Sequence, residues 1–345
     1  MTFWGTEDLA DFDAWLEQSV QSYSRIVVLA DENTSSLCVP RIAAELEHLP
    51  PFQIIEVPAG EDSKSWEMIG QLIMAMGDLE MDRKSLLIGV GGGVVTDITG
   101  FIASIYQRGI DFILIPSSLL AMTDAAIGGK TGVDVSFTKN MAGTFAWPKA
   151  LLIWPPLLES LPHIEFRNGR AESLKHALIR DAELWTELSI GKREMDASTI
   201  MRSAAIKQQI VDEDALEKGL RKLLNFGHTV GHALESLYLD YRLTNWPHGR
   251  CVAAGMCVAA WLSHDLLQMP LKQVQEVVGY LRLEYDLHEL QEVSLEELLP
   301  WLRFDKKNHN GEWRFVLLRQ IGQAEFDIPV NHEQLAKAWQ LTLEQ

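Results

Sequence analysis

Five short apolar runs in the first half of the chain constrain its fold more than any other feature: RIVVLAD (25–31), FQIIEVPAG (52–60), SLLIGVGGG (85–93), DFILIPSS (111–118) and ALLIWP (150–155). Each is too short for a helix, rich in β-branched and aliphatic residues, and closed by Asp, Gly, Pro or Ser, with helical patterns between one run and the next. A strand with one wet face alternates polar and apolar residues. Runs that are apolar throughout are covered on both faces, as in a parallel sheet wrapped by crossover helices. The expected fold class for this half is therefore an open, Rossmann-like α/β domain. Such sheets bind ligands beyond the carboxyl ends of their strands, where Asp31, Gly60, the triplet Gly91–Gly93, Pro116, Ser117 and Ser118 fall.

After LPHIEF these runs give way to helical periodicity up to about residue 291, followed by RFVLLRQIG (314–322), which reads as a hairpin or strand. Pro148, Pro155, Pro156 and Pro162 punctuate the change. The expected division is an α/β domain over 1–160 and a mainly helical, all-α-class domain over 161–345, consistent with a length of 345 residues. Composition excludes several classes of function. A formal charge of −18 argues against a nucleic-acid partner, which needs clustered Lys and Arg. It leaves room for a small anionic substrate held by a few convergent cations. There is no apolar run of membrane-spanning length, and the start, MTFWGTEDLADFD, is acidic rather than signal-like. A cytoplasmic protein without a membrane partner is expected. Cys38, Cys251 and Cys257 form no disulfide framework and read as packing residues in a reducing compartment.

The motif GVGGGVVTDITGF follows a strand and opens a helix, so its amides can approach a pyrophosphate with no Cβ in the way. A tight structural turn is the plain alternative, since the spacing is not G-x-G-x-x-G. Asp31, Glu32 and Asn33, and the segment GEDSKS (60–65), end neighbouring strands and offer a carboxylate and an amide to ribose hydroxyls. A dinucleotide is the expected occupant. In LNFGHTVGHALE, His228 and His232 share one helical face. His248 follows in WPHG, and Glu172 sits in GRAESLKHALIRD with Lys175 at i+3. Two imidazoles and a carboxylate leave an open coordination position on zinc, as a Lewis-acid site requires. Which histidines bind is open at this level. The remaining candidates are cations: Arg108, Lys130, Lys139 beside Asn140, Lys175, Lys207, Arg221, and Lys306 with Lys307. Singly each reads as a surface charge; together they suit a substrate with more than one anionic group.

Taken in order, GGGVVTDITGF, YQRGIDFILIPSSLLAMTDAAIGGKTGVD, KNMAGTF, GRAESLKHALIRD, LNFGHTVGHALE, HGRCVAAGM and DKKN resemble 3-dehydroquinate synthase from about Asp31 to Gly322. The resemblance implies a dehydroquinate synthase-like fold, with an NAD-binding α/β domain, a helical domain and a catalytic cleft between them, in a homodimer. It implies a zinc ion, with cobalt as a substitute, held by Glu172, His228 and His248, and makes His232 a proton carrier one turn from a ligand. The implied substrate is 3-deoxy-D-arabino-heptulosonate 7-phosphate, a sugar phosphate of the shikimate pathway. Its carboxylate would meet Lys207 and Arg221, with Asn225 on a nearby hydroxyl. Its phosphate would meet Lys130, Asn140 and one of Lys306 and Lys307, with Arg108 reaching in from a partner subunit. Asp124 and Lys175 would contact hydroxyls. NAD would lie on Asp31, Asn33, Glu61, Lys64, Gly92, Gly93, Val94, Asp97, Ser117, Ser118 and Lys139. The implied reaction is transient oxidation, β-elimination of phosphate, re-reduction and intramolecular aldol closure to 3-dehydroquinate, with no net redox change.

The chain departs from the family pattern at two places. TDAA (123–126) stands where VDSS is common, and HGR where HGE is common, which sets Arg250 beside His248. A cation next to a metal ligand is expected to lower metal affinity. The nearest alternative is another sugar phosphate cyclase, such as a 2-epi-5-epi-valiolone synthase, whose substrate lacks the carboxylate; the presence of Lys207, Arg221 and Asn225 favours the carboxylate-bearing substrate. A polyol dehydrogenase and a catalytically silent NAD- and metal-binding protein are more distant readings.

Overall fold

The structure, a computed structural model, describes residues 1–5, 8–135, 138–190, 195–240, 246–303 and 313–344. Lys306 and Lys307 lie outside the described residues. The chain divides into two compact units, one of Met1–Gly169 with Asp196–Ala204, the other of Arg170–Met195 with Ala205–Gln345.

The first unit is built on a parallel sheet of six strands: β1 (Thr2–Trp4), β2 (Ile26–Asp31), β3 (Gln53–Val57), β4 (Leu86–Gly91), β5 (Asp111–Pro116) and, after two strands described below, β8 (Ala150–Ile153), in the order β1-β8-β5-β4-β2-β3. All five apolar runs are strands, and β4 is buried along its whole length, as a strand covered on both faces must be. The chain leaves β2 toward β3 on one side and returns to β4 on the other, so the order reverses between β2 and β4. Their ends, Asp31 and Gly91, therefore flank the position where such sheets take a ligand. Sequence periodicity did not reveal β1, which is three residues long and pairs Thr2 with Leu151. Nor did it reveal the antiparallel hairpin β6 (Lys130–Val135) with β7 (Thr138–Phe145), whose residues form no apolar run.

The second unit is mostly helical. Its axis is the helix His248–Leu267, buried from Cys251 to Ser263, and an element apolar on every side belongs in a core. Helices His228–Asp240, Leu271–Tyr285 and His332–Glu344 pack on it, together with the antiparallel hairpin β9 (Trp313–Gln320) and β10 (Gln323–Val330). The apolar segment 314–322 thus forms a hairpin rather than a lone strand. No helix among the described residues is long and apolar enough to cross a membrane.

Within the second unit the guanidinium of Arg170, 1% exposed, lies 3.2 Å from the Glu284 carboxylate, 5% exposed, and also donates to Tyr280 Oη and the Leu188 carbonyl. Removing one partner from so buried a pair strands the other charge. Arg170→Ala is expected to cost about 3–5 kcal/mol in denaturant unfolding. The double change Arg170→Met with Glu284→Met, which removes both charges, should cost clearly less; equal losses would contradict this account.

Candidate active site

Three of the predicted metal-site residues converge in the second unit. Glu172 comes from the helix His163–Arg180, while His228 and His248 are the first residues of their helices. The two latter helices meet at glycines. A Cβ on Gly255 would fall on the carbonyl oxygen of Gly227, and one on Gly227 (φ +77°) would come within 2.5 Å of Met256 Cγ. The backbones touch because no side chain separates them, and this brings the imidazole centroids of His228 and His248 to 5.6 Å.

The donor geometry fits zinc. Glu172 Oε1 lies 3.5 Å from His228 Nε2 and 3.4 Å from His248 Nε2, with all three donor atoms within 4.8 Å of one another. Ligands about 2.1 Å from a tetrahedral ion are separated by about 3.4 Å. The outward nitrogens are also directed: His228 Nδ1 faces the Phe226 carbonyl at 3.1 Å, and His248 Nδ1 faces Glu235 Oε2 at 3.4 Å. Such partners fix the tautomer that would leave Nε2 free for a metal. Burial pushes the His228 pKa well below the usual value and keeps it neutral. Burial works the same way on His248, but hydrogen bonds to Glu172 and Glu235 outweigh it and raise the pKa to about 10, so metal binding there displaces a proton.

His232 lies beside the donors, its ring centroid 5.0 Å from that of His228 and 6.1 Å from that of His248. The Lys175 ammonium, 1% exposed, pairs with Glu172 Oε2. Lys207 is buried on the helix Ala197–Glu213, and Arg221, also buried, stands in the short 3₁₀ segment Leu220–Asn225. Arg221 N–H donates to Asp214 Oδ2 (3.1 Å) and its Nη1 to the Ala215 carbonyl (2.6 Å). Asn225 Nδ2 donates to Glu217 Oε1 at 2.7 Å.

Arg250 does not stand against the metal donors as its neighbour His248 does. Its guanidinium stacks on Trp246, 4.1 Å from the ring centroid, pairs with Glu289 (3.3 Å) and donates to the Tyr285 and Asp286 carbonyls at the end of the helix Leu271–Tyr285. An offset of two helical residues turns the side chain about 200° from that of His248, so closeness in sequence did not mean closeness in the site. Sequence reasoning missed Glu217 and Glu235. Glu235 was legible, since 228, 232 and 235 follow the i, i+4, i+7 rule of one helical face.

In the first unit, Gly92 caps the helix Gly93–Ile105 without any side-chain hydrogen bond. Ser118 Oγ lies 3.4 Å from where a Gly92 Cβ would stand, and the Ala125 methyl 3.4 Å from a Gly93 Cβ. The predicted Gly92, Gly93, Val94 and Ser118 thus surround one open helix start, suited to a pyrophosphate, with Ser117 held by its N–H to the Gly91 carbonyl (2.9 Å). The departure at Ala125 falls at this turn. Glu61, Lys64, Asp97 and Lys139 also assemble: Lys64 Nζ is 2.5 Å from Asp97 Oδ2, and Lys139 Nζ is 3.6 Å from Glu61 Oε1. Burial lowers the Lys64 pKa, but Asp97 and Glu61 more than compensate, so it stays charged. Asp31 caps the helix Glu32–Leu37 by accepting from Asn33 and Thr34 N–H through one oxygen, Oδ1. Asp124 rides a π-helical turn, Ala121–Ala125, and such turns are frequent at functional sites. Lys130 and Asn140 lie on β6 and β7, where Asn140 holds φ +50° and its N–H donates to Asp134 Oδ1 at 2.6 Å. Arg108 follows Gln107 in a turn where both, without being glycine, have positive φ (+70° and +51°).

The fold, an α/β unit with a glycine turn and a helical unit, is that of the sugar phosphate cyclases. The solved 2-epi-5-epi-valiolone synthase of Streptomyces hygroscopicus, with NAD+ and Zn2+ bound, superposes with a TM-score of 0.86 at 28% identity, covering 100% of this chain and 96% of that one. Within the class, residues 54–168 match the 3-dehydroquinate synthase N-terminal family and residues 169–308 its C-terminal family. The 3-dehydroquinate synthase of Bordetella pertussis is 39% identical over 87% of this chain and 85% of its own, and that of Enterococcus faecalis 37% over 93% and 90%. The chain belongs to the 3-dehydroquinate synthase family.

Gly255→Ala is expected to cost about 1–3 kcal/mol or more by overpacking and to lower zinc affinity with it, read by thermal unfolding and metal titration. Glu235→Gln, which leaves an acceptor but no charge, should weaken zinc about 10–100-fold with little change in unfolding without metal. Unchanged affinity in Gly255→Ala would remove the helix contact from the account, and unchanged affinity in Glu235→Gln would remove the directing role of Glu235.

Proposed function

We propose that the chain converts 3-deoxy-D-arabino-heptulosonate 7-phosphate to 3-dehydroquinate and orthophosphate in the cytoplasm, with residues 1–160 forming the NAD-binding domain and 161–345 the metal- and substrate-binding domain. The observation that carries this reading is the tetrahedral spacing of Glu172, His228 and His248 in a member of this family. When bound, the metal supplies Lewis-acid polarisation and NAD+ a reversible hydride acceptor, which together allow elimination without net redox change.

The chain's own residues position the substrate and handle its charges. His232, one turn beyond His228, holds and passes a proton at its ring nitrogen. Lys175, its ammonium fixed by Glu172, donates to substrate hydroxyls, while Asn225 Oδ1 and the Asp124 carboxylate accept from them. Lys207 and Arg221, buried where a bare anion would find little water, bind the carboxylate. Lys130, Asn140 and one of Lys306 and Lys307 bind the phosphate. Asp31, Asn33, Glu61, Lys64, Gly92, Gly93, Val94, Asp97, Ser117, Ser118 and Lys139 hold NAD. Asp31 Oδ2, which the helix cap does not use, is suited to a ribose hydroxyl. A homodimer in which Arg108 serves the partner's site is supported by the strained backbone at Gln107 and Arg108 and by exposed apolar side chains on this unit, including Trp66, Met141, Phe145 and Trp147. The buried free thiols Cys38, Cys251 and Cys257 suit a reducing compartment.

The second reading, a cyclase for a substrate without a carboxylate, has no use for buried Lys207 and Arg221. Purified protein given NAD+, zinc and the heptulosonate phosphate should release orthophosphate and dehydroquinate in equal amounts with no accumulation of NADH. Chelation should abolish this and zinc restore it; activity surviving verified metal removal would overturn the metal assignment. Arg221→Ala is expected to raise KM about 10–100-fold, the loss of a charge-assisted pair. A carboxylate-free sugar phosphate turned over faster would favour the second reading.

A further inference from the structure

The segment bearing Arg221 and Asn225 is short, and Lys222 makes one of the contacts that tie it to the rest of the second unit. The Lys222 ammonium donates to Asp327 Oδ2 at 2.6 Å and lies 5.7 Å from the centre of the Phe326 ring. Asp327 is an unusual residue in β10. Glu325 pairs with Leu317 and Ile328 with Phe315, so Phe326 and Asp327 together oppose the single residue Val316. This is a β-bulge, a device that re-aims a side chain out of the ladder. Asp327 also has φ +61°, a left-handed conformation that costs a non-glycine residue free energy and persists where the surroundings over-determine it. Arg314 Nη1 helps hold it, donating to the Asp327 carbonyl at 3.2 Å. At the other end, the Lys222 carbonyl accepts from Asn225 Nδ2 (3.2 Å), and Lys222 N–H donates to the Gly219 carbonyl (3.0 Å).

We propose that Asp327 is a positioning residue: aimed by the bulge, its carboxylate fixes Lys222 and with it the turn that presents Arg221 and Asn225 to the substrate. The hairpin β9–β10 acts as a buttress for the substrate-binding turn. Its role toward substrate rests on the function proposed above. The side chains of Lys222 and Asp327 are 30% and 43% exposed, so water and salt weaken the pair and the expected effects are moderate.

The test uses the full chain with zinc and NAD+. Asp327→Gly accepts the positive φ but removes the carboxylate; Lys222→Met keeps the stem over Phe326 but removes the charge. Each should speed amide hydrogen exchange across residues 220–226 while leaving the helix 248–267 unchanged. Each should also raise KM for the heptulosonate phosphate about three- to tenfold, the effect of one partly screened charge-assisted hydrogen bond, with kcat within about twofold. The double variant should be no worse than either single one, since both remove the same interaction. Asp327→Asn, which tolerates positive φ and still accepts from Lys222, should restore exchange protection and most of the KM. Unchanged exchange across 220–226, or faster exchange with unchanged KM, would overturn the proposal. If the wild-type chain turned over no substrate, the proposed function would fail, and the exchange measurement would still decide whether the buttress exists.

Discussion

The contact of two helices through bare backbone at Gly227 and Gly255 is the constraint on which the rest of the second unit depends. Interiors are close-packed, so a methyl group at Gly255, 1.9 Å from the Gly227 carbonyl oxygen, would force the two backbones apart. With glycine at both, two imidazoles at the heads of adjacent helices reach the same carboxylate at 3.4 and 3.5 Å. The apolar helix His248–Leu267 gives this arrangement its rigidity, because it is buried against three helices and a hairpin. Sequence sets the glycines, the glycines set the backbone approach, and the approach sets a donor spacing that fits a tetrahedral ion.

Charge is arranged on the same principle of local override. A chain of formal charge −18 buries Lys64, Lys175, Lys207 and Arg221 almost completely. Burying a cation is costly unless it is paired, and two of these have carboxylate partners within the same unit: Asp97 for Lys64 and Glu172 for Lys175. Arg221 is held by carbonyl and carboxylate groups of the turn that precedes it, where Asp214, its pKa lowered by the N–H groups of Lys218 and Gly219 and then Arg221, remains a strong acceptor. Under the function proposed above, Lys175, Lys207 and Arg221 are the fixed cations that an anionic substrate would meet in an otherwise acidic chain.

Much of this was legible in sequence because it follows from periodicity. The five apolar runs are the strands that build the parallel sheet, and the i, i+4 spacing of His228 and His232 put both on one helical face. The strand β1 and the hairpin β6–β7 escaped because the first is too short to show a period and the second carries polar residues in place of an apolar pattern. Side-chain direction was the other limit. Arg250 follows His248 by two residues, yet its guanidinium caps a different helix, and the partner of His248 proved to be Glu235, thirteen residues earlier in the chain. Asp31 showed a use that no motif announces, since it caps a helix.

Anomalous scattering at the zinc edge, measured on crystals of the protein grown with zinc, tests the central claim most directly. The account places a single peak about 2.0–2.2 Å from a Glu172 carboxylate oxygen and from the Nε2 atoms of His228 and His248, with His232 beyond bonding distance. A peak bound instead by His232 and Glu235, or none near Glu172, would contradict it.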